Sequence, residues 1–131
     1  MRFFFFSLCI ALSLSLSAQT GLGNFQKIEA QKENYIQIKT EQGNLRVEIC
    51  SDEILRIRAS RDGNFEPDEP YMVVQYDWPK TAWDLEETGN SLYLKTAKLN
   101  VIISKNPVLI TIKDLNGTLL SQDSNLGNYT A

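Results

Sequence analysis

The chain contains no histidine. Histidine is the commonest general base and metal ligand near neutral pH, because its ordinary pKa lies there. Its absence excludes the usual serine and cysteine triads, zinc sites built on imidazole, and most proton relays. Carboxylates remain as the only acid–base groups for catalysis. Cysteine is nearly missing too, with Cys9 and Cys50 alone. Basic runs are also lacking: 13 Lys and Arg are scattered among 16 Asp and Glu, for a formal net charge of −3. A mildly acidic, evenly mixed surface argues against nucleic acid or anionic membrane as a partner. Beyond the first residues, no stretch keeps helical spacing for several turns.

The N-terminus carries a different signal. Arg2 supplies a positive start, Phe3 to Leu16 is an almost unbroken apolar run, and Ser15, Ser17 and Ala18 are small. That order describes a secretory signal peptide, and the run is shorter than the roughly 20 residues of a spanning helix. The expected organisation is therefore a signal peptide over 1–18, cut after Ala18, and a single domain over 19–131 that no longer touches the membrane. Cys9 leaves with the leader, so Cys50 has no partner for an internal disulfide. Export without disulfides fits a bacterial periplasm or cell surface better than a small stapled domain. Asn116-Gly117-Thr118 and Asn128-Tyr129-Thr130 match a glycosylation pattern but read here as turn chemistry.

What the remainder does contain is a period of two. Leu45, Val47 and Ile49 alternate with Arg46 and Glu48, and Leu55, Ile57 and Ala59 with Arg56, Arg58 and Ser60. Ile36 and Ile38, Leu92 and Leu94, Leu99 to Ile103, and Val108 to Ile112 follow the same rule. Successive strand side chains point to opposite faces, so each segment has a core face and a water face. Gln42-Gly43-Asn44, Ser51-Asp52-Glu53, Asp62-Gly63-Asn64, Gly89-Asn90, Lys105-Asn106-Pro107 and Asn116-Gly117 punctuate the runs. Short strands at such intervals predict antiparallel hairpins in an all-β sandwich. Asp62 to Pro70 reads as a surface loop, and Trp78 to Ala82 separates the run Tyr71–Tyr76 from Trp83–Thr88. Ser121 to Ala131 reads as a connection without a further strand.

These segments resemble a known family. Asn44-Leu45-Arg46-Val47-Glu48-Ile49 and Ile54-Leu55-Arg56-Ile57-Arg58 are similar to the opening of the N-terminal, galactose-mutarotase-like β-sandwich of glycoside hydrolase family 31. Leu92 to Thr96, Lys98-Leu99-Asn100-Val101-Ile102-Ile103, Pro107 to Ile112 and Asp114-Leu115-Asn116-Gly117-Thr118 continue the likeness, which spans about Tyr35 to Leu120. The resemblance implies an exported α-glucosidase or α-xylosidase, in which a (β/α)8 barrel following the sandwich supplies two aspartates for a retaining mechanism. The Asp-Met-Asn-type motif of that barrel has no counterpart here, since Met1 and Met72 are the only methionines. Nor is there a Tyr-Gly-Leu-Gly-Glu-like segment. No catalytic residue of the family is carried over, and no cofactor or metal is implied. The implied partner is the catalytic barrel of the same polypeptide.

Other side chains bear on chemistry directly. Asp52/Glu53, Asp68/Glu69 and Glu86/Glu87 are adjacent carboxylates of the kind glycoside hydrolysis uses at about 5 Å. Sequence neighbours on a strand diverge, however, and the first two pairs fall in turns. Trp78, Trp83 and Tyr71, with Tyr76 nearby, are candidate carbohydrate-stacking residues, and suit a core or a domain interface equally well. Arg56 and Arg58 share the water face of one strand opposite Glu48, where they read as a charged outer face or as a carboxylate-binding fork. Cys50 reads as a passenger on the polar face of its strand. Two functions follow: the leading, non-catalytic part of a family-31-like glycosidase, or a stand-alone secreted module that binds a glycan or protein. A small independent enzyme lacks its nucleophile.

Overall fold

The structure, a computed structural model, describes residues 21–65 and 77–124. Within them the chain forms strands β1 (Phe25–Gln31), β2 (Tyr35–Thr40), β3 (Asn44–Ile49) and β4 (Leu55–Ser60). It continues with β5 (Asp84–Glu87), β6 (Ser91–Lys95), β7 (Leu99–Lys105), β8 (Val108–Asp114) and β9 (Leu119–Gln122). Among the described residues there is no helix. The alternating segments became strands β2, β3, β4, β6, β7 and β8, and β5 lies inside the run Trp83–Thr88. β1 escaped the period-two reading because register shifts break its pairing with β2 between Phe25 and Lys27 and between Ile28 and Ala30. Each such irregularity moves the following side chains out of phase. β9 enters the stretch expected to be a plain connection. It too pairs across a shift, between Ile112 and Lys113 of β8.

Two antiparallel sheets result, with strand orders β1-β2-β3-β4 and β5-β6-β7-β8-β9. Their inner faces meet in one apolar cluster. Ile36, Ile38, Leu45 and Val47 of the first sheet are fully buried, and so are Leu92 and Ile103 of the second. Leu94, Val101, Val108 and Ile110 are 1% exposed. Each such side chain stabilises the fold by roughly 1.5–3 kcal/mol relative to leaving it in water. The architecture is the all-β sandwich that alternation implied.

Contacts between the turns fasten the layers. The Thr96 hydroxyl donates to the Asp52 carbonyl at 2.7 Å, and Lys98 pairs with Glu53 at 2.5 Å. The Val108 N–H donates to the Gly23 carbonyl at 2.9 Å. Lys105 ends β7 nearly buried, with its ammonium 2.7 Å from Glu87 and 2.7 Å from the Thr88 carbonyl, above the Phe25 ring at 4.7 Å. Gly43 is needed for a close approach, since a Cβ there would lie 2.7 Å from the Ser60 carbonyl oxygen.

Cys50 follows the last residue of β3 and is buried, with 5% of its surface exposed. β3 ends at Ile49, and the chain then turns so that the Cys50 N–H donates to the Ile54 carbonyl at 2.9 Å. The thiol has Glu48 and Arg56, both outer-face residues, as its charged neighbours. Burial, and then the neighbouring Glu48 charge, push its pKa up.

Candidate functional site

The sandwich leaves two outer faces, and they differ in how far their polar groups satisfy one another. On the first sheet the registers align Tyr35 with Glu48 and Arg56, Gln37 with Arg46 and Arg58, and Lys39 with Asn44 and Ser60. Glu48 lies among three guanidinium groups: Arg58 at 2.5 Å, Arg56 at 3.8 Å and Arg46 at 3.9 Å. Arg46 donates twice to the Gln37 amide oxygen, at 2.7 and 3.1 Å, and Gln37 donates to Glu29 at 2.7 Å. The Arg46 guanidinium lies between two rings, 4.5 Å from the Tyr35 centroid and 4.3 Å from that of Phe65. Cation–π contacts of this kind strengthen as the cation loses water. Arg58 also donates to the Phe65 carbonyl at 2.9 Å.

Arg56, Arg58 and Glu48 therefore stand where the sequence put them. Alternation did not show that Arg46, Gln37 and two aromatic rings complete the network. The side chains of Glu48 and Arg58 are only 17% exposed. The fork that could have held a foreign carboxylate already holds one of the chain's own, so this face is a brace for β2, β3 and β4.

The outer face of the second sheet is built otherwise. Its register aligns Glu86, Tyr93, Ile102, Thr111 and Gln122 in one row across the strands, and Asp84, Lys95, Asn100 and Lys113 in the next. This face carries an open trough of about 510 Å³, with Tyr93 and Ile102 among its lining residues. Tyr93 is 42% exposed. Asn100 alone of the flanking polar groups is engaged, through a 3.4 Å bond to the Asp114 carbonyl. Among the described residues, Asp84, Glu86, Lys95 and Lys113 form no ion pair. Sequence reasoning passed over Tyr93, although Leu92-Tyr93-Leu94-Lys95 already set it on a water face. The cross-strand register was needed to show what stands beside it.

Of the aromatic candidates named from sequence, Trp78 and Trp83 lie among the described residues. Trp78 is 37% exposed. Trp83 packs against the edge of the core, and its indole N–H donates to the Glu33 carbonyl at 2.8 Å. Lys80 pairs with the Glu33 carboxylate as well, so this segment fastens the start of β5 to the β1–β2 turn. Tyr71 and Tyr76 lie outside the described residues, as do Asp68 and Glu69. Glu53 and Glu87 are taken up by Lys98 and Lys105. Among the described residues no group of carboxylates and thiols converges as a metal site would require.

Comparison with known proteins places this architecture. Residues 44–130 match the model of the glycosyl hydrolase 31 N-terminal galactose mutarotase-like domain. A Flavobacterium johnsoniae GH31 dextranase, solved with glucose and with isomaltotriose, superposes with a TM-score of 0.72 at 24% identity. That match covers 85% of this chain and 14% of the dextranase chain. A cycloalternan-forming enzyme from Listeria monocytogenes, solved with a pentasaccharide substrate, gives 0.60 at 16% identity, covering 79% of this chain and 9% of its own. At these identities the likeness is one of fold, and the chain spans a small fraction of either protein. No curated protein sequence matches the chain.

Proposed function

Because this chain belongs to the glycosyl hydrolase 31 N-terminal galactose mutarotase-like domain family, we propose that it serves as the non-catalytic leading domain of an exported α-glycosidase. In this role it packs on, and helps shape the approach to, a catalytic barrel carried by the same polypeptide. The two similar enzymes are each many times longer than the matched region; one is a dextranase solved with isomaltotriose and the other a cycloalternan-forming enzyme solved with a pentasaccharide substrate.

The observation that carries the structural role is the incomplete cover of the apolar layer. Leu55, Ile57 and Ala59 of β4 turn toward the core yet remain partly exposed, whereas their neighbours on β2 and β3 are closed off. β9 is exposed along its length. Ile54, Leu115, Leu119 and Leu120 expose between 47% and 56% of their surface. Apolar surface of this extent at two sheet margins suits contact with further protein. Export is supported by Arg2, the apolar run Phe3 to Leu16, and the small residues ending at Ala18.

The test is isolation of the native product from its source cells with an antibody against residues 21–65. Its intact mass and its hydrolysis of chromogenic α-glucosides and α-xylosides are then measured. A product several times heavier than this chain, lacking the first 18 residues and active on an α-glycoside, is expected. A product of the chain's own mass, or a heavier one inert toward α-glycosides, would overturn the reading.

A further inference from the structure

We infer that the trough on the outer face of the second sheet is a binding site for a neutral oligosaccharide, with Tyr93 as its stacking residue. The inference rests on the carbohydrate-active reading above for the choice of ligand class. Its geometry comes from the strand register.

Three observations converge. First, Tyr93 is 42% exposed and lines a concavity instead of a convex surface. Ile102 extends the apolar strip beside it, paired across β6 and β7. An aromatic ring with a polar tip suits a ligand that has both C–H faces and hydroxyl edges. The lining row from Asp84 through Lys95 and Asn100 to Lys113 crosses three strand spacings, roughly 14 Å, which is enough for a short chain of sugar rings. The trough volume also falls within the ~300–1,000 Å³ of small-molecule sites.

Second, the flanking hydrogen-bonding capacity is unengaged. Asp84 and Glu86 offer carboxylate acceptors; Lys95 and Lys113 offer ammonium donors, with no ion pair to satisfy them among the described residues. Such groups can grip hydroxyls, which both donate and accept. The two signs balance, so the face favours an uncharged ligand over a phosphate or a polyanion. The first sheet's outer face shows the contrast, because its guanidinium groups are consumed by Glu48, Gln37 and the two rings.

Third, the floor is rigid. The strands that carry Tyr93 and Ile102 turn Leu92, Leu94, Val101 and Ile103 into the core, each no more than 1% exposed. Little ordering remains for binding to oppose. A docking surface for another domain would instead carry few charges at its centre, whereas here four charged side chains, Asp84, Glu86, Lys95 and Lys113, line the trough.

The experiment uses the native polypeptide in affinity electrophoresis through gels containing soluble starch, dextran or xyloglucan. Tyr93→Ala is expected to weaken retardation in at least one gel by about tenfold or more, as loss of a central aromatic anchor does. Tyr93→Phe retains binding, and Glu86→Ala weakens it by a smaller factor. Hydrolysis of a small chromogenic glycoside stays unchanged in all three, so loss of binding is separated from damage to a catalytic part. Absence of hydrolysis would sink the glycosidase reading alone, since retardation is still read from the same gels. Wild-type protein that no gel retards, or Tyr93→Ala protein retarded like wild type, would overturn the site. So would unchanged retardation together with new protease sensitivity in Tyr93→Ala, which would mark the trough as a contact between domains.

Discussion

Replacing Glu48 with alanine tests whether the first sheet's outer face is a brace or ordinary surface charge. Glu48 accepts from Arg58 at 2.5 Å and lies within 3.9 Å of Arg46 and Arg56. An exposed ion pair contributes about 0.2–1 kcal/mol, while breaking a fully buried one costs about 3–5 kcal/mol. At 17% side-chain exposure for both Glu48 and Arg58, the pair belongs between these limits. A charge-assisted hydrogen bond contributes about 1.5–3 kcal/mol, which sets the expected loss near 2 kcal/mol. Arg58 has little reserve, because its Nε is buried without a hydrogen-bond partner among the described residues.

Hydrogen exchange of the native polypeptide reads this loss locally, whatever other domains do. About 2 kcal/mol corresponds to a roughly 30-fold faster exchange of protected β2–β4 amides. Glu48→Gln keeps an acceptor and is expected to fall between alanine and wild type. In a double-mutant cycle, Glu48 should couple to Arg58 by more than ~1 kcal/mol. Its coupling to Arg56, which is 3.8 Å away and 31% exposed, should be smaller. Exchange within twofold of wild type in Glu48→Ala, or equal coupling to both arginines, would refute the reasoning.

Two further outcomes follow from titrating groups. The Asp114 carboxylate accepts the N–H groups of Thr118 at 2.8 Å and Asn116 at 2.9 Å, chiefly the former holding its pKa below the ordinary value. A depressed folded-state pKa stabilises the turn above the unfolded value of about 3.9 and loses that support as pH falls through the folded value. Protection of the β8–β9 hairpin, referenced to intrinsic exchange at each pH, should therefore drop on acidification below that range. Asp114→Asn should flatten the dependence, and an unchanged profile would count against the cap. For Cys50, burial raises the pKa and hides the sulfur, so less thiolate forms at mildly alkaline pH. Its alkylation in the native protein should be far slower than in urea-unfolded chain, and equal rates would place the thiol at the surface.

How much of this was legible in the sequence depended on regular pairing. Where a strand kept strict alternation, as at Leu45 to Ile49 or Leu99 to Ile103, the core face could be read directly. Where a bulge reset the phase, as in β1, or where pairing was short and exposed, as in β9, the same reading missed the strand. The polar faces were legible as faces but not as sites. Arg46 and Tyr35, or Tyr93 and Ile102, become neighbours only through cross-strand register, which periodicity does not contain. Trp83 attracted notice by its type, yet its hydrogen bond to Glu33 spans 50 positions of sequence.

The strand orders of the two sheets carry a consequence for how the chain acquires its shape. Among the described residues both sheets are meanders in which every hydrogen-bonded neighbour is also the next strand in the chain. Pairing therefore closes only short loops, and the entropy lost in doing so is small. Hairpin formation of this kind takes about 1–10 μs. Only the meeting of the two inner faces joins distant segments, so that step sets the pace, in keeping with the slower folding of sandwiches dominated by non-local contacts. During synthesis the first sheet is complete before β5 to β9 exist, and Ile36, Ile38, Leu45 and Val47 stay uncovered until then. Pulse-labelled exchange should show the strand ladders protected together, after the sheets dock.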